Sequence, residues 1–263
     1  MTDSPTPTSP TPIVFVSHGA PTLALDRRAG ADFARLAAAI GTPRALLVVS
    51  AHWLDAPATI GTRTTRELMY DFSGFPAELY GLRYEAPGAA DVADELRRAV
   101  PSLARADERP WDHGVWVPLL HMFPGADVPV LQVSVPYRWS PERLFALGRE
   151  LAIVRERGVL LLGSGGMVHN LGRLAWGGGA APESWASDFE SWVRERLDAN
   201  DWDGLLTYRE RAPGFRLAHP TDDHFLPLLV AAGAASAGRS APVAYPITGF
   251  EYGSLSRLAV RFG

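Results

Sequence analysis

Three of the chain's seven histidines follow short apolar runs rich in β-branched residues. His18 comes directly after Ile13–Ser17, in Ser17-His18-Gly19-Ala20-Pro21. His52 follows Ala45–Ser50, in Val49-Ser50-Ala51-His52-Trp53. His169 stands just past Val159–Gly163, in Gly163-Ser164-Gly165-Gly166-Met167-Val168-His169-Asn170. A neutral imidazole is the commonest metal ligand, and open α/β sheets bind their ligands outside the carboxyl ends of the strands. One histidine at a strand end is usually a hydrogen-bonded structural residue. Three in the same topological position point to one shared crevice, with His18 and His52 as metal ligands on rigid supports.

The other histidines fall in different settings. His121 lies in the apolar stretch Val117–Phe123 and is expected to be structural, and His219 is expected to fix the turn before Pro220. His113 in Trp111-Asp112-His113-Gly114-Val115-Trp116 and His224 in His219-Pro220-Thr221-Asp222-Asp223-His224-Phe225 do not have the HExxH spacing of zinc proteases. Ser164 has no glycine two residues before it, so the nucleophile elbow of a serine hydrolase is not met. Its glycine-rich surroundings are not a dinucleotide fingerprint either, since Val168 occupies the place of the third glycine. These glycines serve either close approach of the backbone to a ligand or a plain strand-to-helix turn.

The elements that must carry these residues are legible. Ile13–Ser17, Ala45–Ser50, Val130–Val135 and Val159–Gly163 are continuous apolar runs, as expected of strands buried on both faces. Helical patterns cover Asp32–Ile40, Ala89–Ala99, Pro141–Arg157 and Pro182–Ala199. The alternation predicts an α/β fold: a single domain with a central, mainly parallel or mixed β-sheet flanked by helices. Residues 1–12 are rich in Ser, Thr and Pro and read as a disordered tail, leaving 13–263 as the one folded domain. Gly177–Ala181 reads as a loop.

Composition removes whole classes of function. With 263 residues the chain can bury a full core unaided, and with no cysteine it has no disulfide, thiolate zinc site, iron–sulfur cluster or cysteine nucleophile. A net charge of −4 argues against a nucleic-acid partner, and all 25 Lys+Arg residues are arginine. No run approaches the roughly 18–20 apolar residues of a membrane span, and no signal peptide is visible, so the expected location is the cytoplasm. Nothing in the sequence speaks to oligomeric state.

Taken in order along the chain, these motifs resemble those of a known family. Ser17-His18-Gly19-Ala20-Pro21, Ser50-Ala51-His52-Trp53, Asp112-His113-Gly114-Val115-Trp116-Val117-Pro118-Leu119, Gly163-Ser164-Gly165, Val168-His169-Asn170-Leu171 and His219-Pro220-Thr221-Asp222-Asp223-His224-Phe225 are similar to the class III, LigB-like extradiol aromatic ring-opening dioxygenases of the DOPA type. Ala86-Pro87-Gly88 and Gly253-Ser254-Leu255-Ser256 fit the same pattern. The resemblance implies one non-haem mononuclear site for Zn(2+) or Fe(2+), with His18, His52 and His224 as ligands. It implies His169 as the acid/base for a catechol hydroxyl, able to reach the ion when substrate is absent, and His113 as an acid beside the oxygen pocket. The family commonly has glutamate before the last histidine; here Asp223 stands there.

The implied reaction is oxidative cleavage of a DOPA-like catechol by dioxygen. Trp53, Tyr70, Phe72, Trp111 and Trp116 are candidates to line a ring-shaped pocket, with core packing as the alternative for each. Arg138 and Arg173 are candidates to meet a substrate carboxylate, or else surface residues. A zinc-dependent hydrolase could use the same histidines, because zinc is satisfied by three imidazoles and a water, whereas Fe(II) more often takes two histidines and a carboxylate. A binding protein that has lost catalysis would have no need of His113 and His169.

Overall fold

The apolar runs become strands of one eight-stranded mixed sheet in the computed structural model, which describes residues 10–61, 66–176, 180–238 and 242–263. Most of the expected tail at 1–12 and of the expected loop Gly177–Ala181 lies outside the described residues. The strands are β1 (Ile13–Ser17), β2 (Ala45–Ser50), β3 (Thr59–Gly61), β4 (Ala104–Ala106), β5 (Val130–Val133), β6 (Val159–Gly165), β7 (Val243–Ile247), β8 (Phe250–Glu251), β9 (Leu255–Ser256) and β10 (Ala259–Phe262). The large sheet runs β4-β3-β5-β2-β6-β1-β10-β7, and β8 and β9 form a separate pair. Its centre, β5-β2-β6-β1, is parallel throughout. Antiparallel partners flank it: β3 on one side and β10 on the other.

Burial on both faces explains why the central strands read as unbroken apolar runs. Ile13, Phe15, Leu47, Val49 and Leu161 face one core; Val14, Val16, Leu46, Val48 and Leu162 face the other. Helices of ten or more residues supply both covers. They are α1 (Arg27–Ile40), α2 (Ala90–Ala99), α3 (His113–Met122), α4 (Pro141–Leu151), α5 (Ser184–Asp198) and α6 (Leu226–Ser236). Phe33 and Leu36 of α1 and Val115 and Leu119 of α3 pack on the second core, while α2, α4, α5 and α6 serve the first. Among the described residues no helix is long and apolar enough to cross a membrane.

The differences from expectation have local causes. α1 starts at Arg27, earlier than the apolar periodicity, because the Asp26 carboxylate caps it by accepting from the Arg28 and Ala29 N–H groups at 2.9 and 3.0 Å. The helical segment Pro141–Arg157 is α-helical to Leu151 and then tightens into a 3-10 turn over Ala152–Arg157. β5 ends at Val133, before the expected Val135, and β6 runs on past Gly163 to Gly165. α3 and α6 escape a periodicity reading because they are buried nearly all round and have no polar stripe.

α4 and α6 cross at backbone contact. A Cβ on Gly148 would lie 2.0 Å from the Val230 carbonyl oxygen, and one on Gly233 would lie 2.0 Å from that of Phe145. Neither obstacle is a flexible side-chain end. Gly148→Ala should therefore destabilise the fold by about 1–3 kcal/mol, the usual cost of overpacking, read as a lower urea midpoint. An unchanged midpoint would mean that the helices can separate freely.

Candidate metal centre

β1, β2 and β6 lie side by side and parallel, so their carboxyl ends open on the same edge of the sheet. The backbone ladder continues past the strands: His18 N–H donates to the Gly165 carbonyl and Ala51 N–H to the Ser164 carbonyl, each at 2.9 Å. His18 and His52 thereby leave neighbouring strands with their Nε2 atoms 3.1 Å apart. His224 arrives from the loop before α6. Its carbonyl accepts from Gly166 N–H at 2.9 Å, an approach that needs glycine at 165, where a Cβ would lie 2.1 Å from that oxygen. These glycines thus serve the close approach of another backbone segment. One ligand atom from each of His18, His52 and His224 lies within 4.8 Å of the others, so the three can hold a metal ion.

Hydrogen bonds decide which nitrogens are available. Pro118 in α3 has no N–H, which leaves the Gly114 carbonyl four residues back without its helical donor. Ser164 Oγ–H donates to that carbonyl at 2.5 Å. Having spent its proton there, Ser164 Oγ accepts from His18 Nδ1–H at 3.0 Å, which directs the His18 Nε2 lone pair toward His52. His224 Nδ1–H donates to the Asp223 carboxylate at 2.5 Å, freeing its Nε2 in turn. His52 Nδ1 faces Asp71 Oδ2 at 3.4 Å. Two Nε2 lone pairs 3.1 Å apart repel unless a proton or a cation lies between them. A divalent metal ion meets that demand, and this donor set fits one.

The remaining sequence candidates divide into two groups. The His169 ring stacks on His224 at 3.6 Å with an interplanar angle of 4°. His113, the first residue of α3, lies with its ring centre 4.0 Å from that of His52, and Phe72 meets its ring edge-on at 5.7 Å. Five histidines thus gather in one place. His121 stays apart, its Nε2–H donating to the Leu23 carbonyl at 2.7 Å. His219 does not fix its own turn; its Nε2–H reaches the Met167 carbonyl at 3.0 Å and steadies the loop that carries His169. Trp111 and Trp116 are core residues with no exposed surface, and Trp53 is buried beneath the Arg109 guanidinium. Arg138 and Arg173 are exposed.

Sequence reasoning missed Asp71 and the hydrogen-bonding role of Ser164. Asp71 Oδ1 accepts from both Nδ1–H and backbone N–H of His113, at 2.9 and 3.0 Å. It sits in a loop, not at a strand end, and the pairing of Leu68 with Trp111 brings it near His113. Behind the cluster, Ser50 Oγ–H donates to the fully buried Asp112 at 2.6 Å and accepts from His52 N–H at 3.2 Å.

Burial sets the charge of the cluster. Desolvation first, then the neighbouring imidazoles, lowers His18 well below the usual histidine range, His52 to about 2 and His169 to about 3. Desolvation likewise brings His219 down to about 4. For Asp71, burial alone would raise the carboxyl, but the His113 hydrogen bonds and charge outweigh it and hold it at about 2. Asp223 is held low against burial by its bond to His224. The linkage has a definite sign. These histidines take a proton near pH ~6.5 when unfolded and only at much lower pH when folded, so the unfolded state binds more protons in between. Their contribution is fully present above ~6.5 and is lost as pH falls toward the folded values. The metal-free protein should thus lose stability from pH 7 to 5, by up to about 1.4 kcal/mol per pH unit for each group. A urea midpoint that stays flat across that range would contradict the burial of neutral imidazoles.

Comparison with known proteins shows the family. The family model described as the catalytic LigB subunit of aromatic ring-opening dioxygenase matches residues 13–260. A protein of Escherichia coli K12 named 4,5-DOPA dioxygenase extradiol is 36% identical over 266 residues, spanning 96% of this chain and 94% of that protein. One of the same name from Beta vulgaris is 37% identical over 231 residues, or 84% of this chain and 85% of that protein. The crystal structure of an uncharacterized Escherichia coli K12 protein matches with a TM-score of 0.80 at 31% identity, over 96% of this chain and all (100%) of that one. The family match spans all five clustered histidines, and the chain belongs to the LigB family of extradiol aromatic ring-opening dioxygenases.

Proposed function

We propose that this protein opens the ring of a DOPA-like catechol with dioxygen, using one mononuclear Fe(II) held by the Nε2 atoms of His18, His52 and His224. The observation that carries this reading is the fate of the Nδ1 atoms. Those of His18 and His224 bond to Ser164 and Asp223, and that of His52 faces Asp71, so one Nε2 from each ring is left for a shared ion. When bound, iron(II) supplies open positions and a redox path between an aromatic diol and dioxygen.

The chain's own residues do the rest. His169 is neutral, and neither of its ring nitrogens has a protein partner among the described residues, so it is free to take the proton of a catechol hydroxyl. The negative charge left on the substrate then favours the protonated imidazole beside it. His113 presents the lone pair of Nε2 while Asp71 holds its Nδ1–H; there it would take the proton of the second catechol hydroxyl and pass it to reduced oxygen. Phe72, edge-on to His113, offers an apolar side for the ring. One ring carbon–carbon bond next to the hydroxylated pair breaks, and both atoms of dioxygen enter the product. The cysteine-free sequence suits a cytoplasmic location, which is part of the proposal.

The test is to load anaerobically purified apoprotein with Fe(II) or Zn(II), add a panel of catechols, and follow oxygen uptake with visible absorbance. One oxygen consumed per catechol with a yellow semialdehyde, from the iron form alone, is the expected result. No uptake with any catechol, but ester or amide hydrolysis by the zinc form, would overturn it in favour of a hydrolase.

A further inference from the structure

We infer that Asp71 is a positioning residue that sets the tautomers of His113 and His52 together, coupling the proton-transfer side of the site to its metal-binding side. The inference rests on the reading above, with His52 as ligand and His113 as acid. Asp71 Oδ1 takes the Nδ1–H and the backbone N–H of His113 at 2.9 and 3.0 Å, and Oδ2 lies 3.4 Å from His52 Nδ1. The two imidazoles present their Nδ1 atoms to the same carboxylate, with ring centres 4.0 Å apart.

The chemistry of the position is restrictive. Two N–H groups of His113 donate to this carboxylate and His52 Nδ1 lies 3.4 Å from its other oxygen; an ionised carboxylate favours N–H on both faces because it accepts and brings no hydrogen of its own. An amide, a hydroxyl or an imidazole would bring at least one hydrogen of its own and force one histidine to turn its Nδ1 lone pair inward. For His52 that change moves the proton to Nε2, the atom that faces His18. For His113 it removes the anchor of the ring.

The surroundings hold Asp71 in place. Met69 N–H donates to the Trp111 carbonyl at 2.7 Å, Trp111 N–H to the Glu67 carbonyl at 3.0 Å, and Trp116 Nε1–H to the Met69 carbonyl at 3.1 Å. Tyr70 Oη–H donates to the Leu82 carbonyl at 2.7 Å on the other side of the loop. The loop bearing Asp71 is therefore tied to the segment that leads into α3, and the Asp71 side chain is only 18% exposed. Partners that orient ligating histidines commonly matter by 10–100-fold in metal affinity.

The test compares wild type, Asp71→Asn, Asp71→Glu and His52→Ala, using Zn(II) as the probe. Zinc affinity is measured against a chromophoric chelator, and the protonated ring nitrogens are identified by NMR of the zinc-loaded, 15N-histidine-labelled protein. Asp71→Asn should bind zinc roughly 10–100-fold more weakly and lose the Nδ1–H signal of His52 or His113, with an unchanged near-ultraviolet spectrum of the metal-free fold. Asp71→Glu, which keeps an acceptor-only group, should recover part of the affinity. If Asp71→Asn keeps wild-type affinity and both Nδ1–H signals while His52→Ala loses zinc, the Asp71 inference falls and the ligand assignment stands. If His52→Ala itself binds zinc as tightly as wild type, the ligand assignment fails and takes the inference with it.

Discussion

His52→Ala is expected to bind Fe(II) more than ~100-fold more weakly than wild type, and to consume no oxygen with any catechol. Removing a partner that merely supports a ligand costs roughly 10–100-fold in metal affinity, and removing the ligand itself must cost more. His52 contributes Nε2 to the donor set and Nδ1 to the contact with Asp71, so its loss also removes one of the two histidines that face that carboxylate. His18→Ala should behave alike, and it would leave Ser164 Oγ without the donor it now has. Because metal affinity and oxygen uptake are read separately, a variant that binds iron normally yet is inactive would move His52 from ligand to acid/base. A fully active variant would remove it from the site.

His169→Gln should show the opposite pattern: metal affinity within a few-fold of wild type, but kcat lower by 10²–10⁴, the usual worth of a positioned general acid or base. The ring stacks on His224 at 3.6 Å and contributes no hydrogen bond to any ligand histidine, so its removal leaves the Ser164, Asp223 and Asp71 contacts in place. Burial first, then the neighbouring imidazoles, lowers it to about 3, so at neutral pH it is uncharged with a lone pair available. Glutamine retains much of the stacking surface and has no basic nitrogen. A large drop in iron affinity instead would make His169 a ligand in the resting protein. An unaltered kcat would require another residue to take the catechol proton.

The two experiments probe different parts of the sequence-to-structure link. His18 and His52 were legible as a pair because strand ends converge in a parallel sheet, and apolar runs reveal where such strands end. Asp71 was not, because a loop carboxylate carries no periodic signal and its place depends on a backbone pairing between Leu68 and Trp111, far apart in sequence. Ser164 was set aside as a nucleophile from the sequence and given no other role; in the fold it is the acceptor that aligns His18. Pro118 explains why that serine is needed, since it frees the Gly114 carbonyl that Ser164 satisfies.

By itself the sequence determined the fold class, the central strands, and the histidines placed at the carboxyl ends of β1 and β2. These follow from short-range patterns, in which burial on both faces demands uninterrupted apolar runs and polar residues mark the ends. The resemblance already implied that His224 joins His18 and His52; tertiary structure alone decided which nitrogen of each histidine is free and that one carboxylate faces two rings. Tautomers depend on acceptors brought in from distant segments, such as Ser164 at 146 residues from His18, and no local pattern in a chain encodes those meetings.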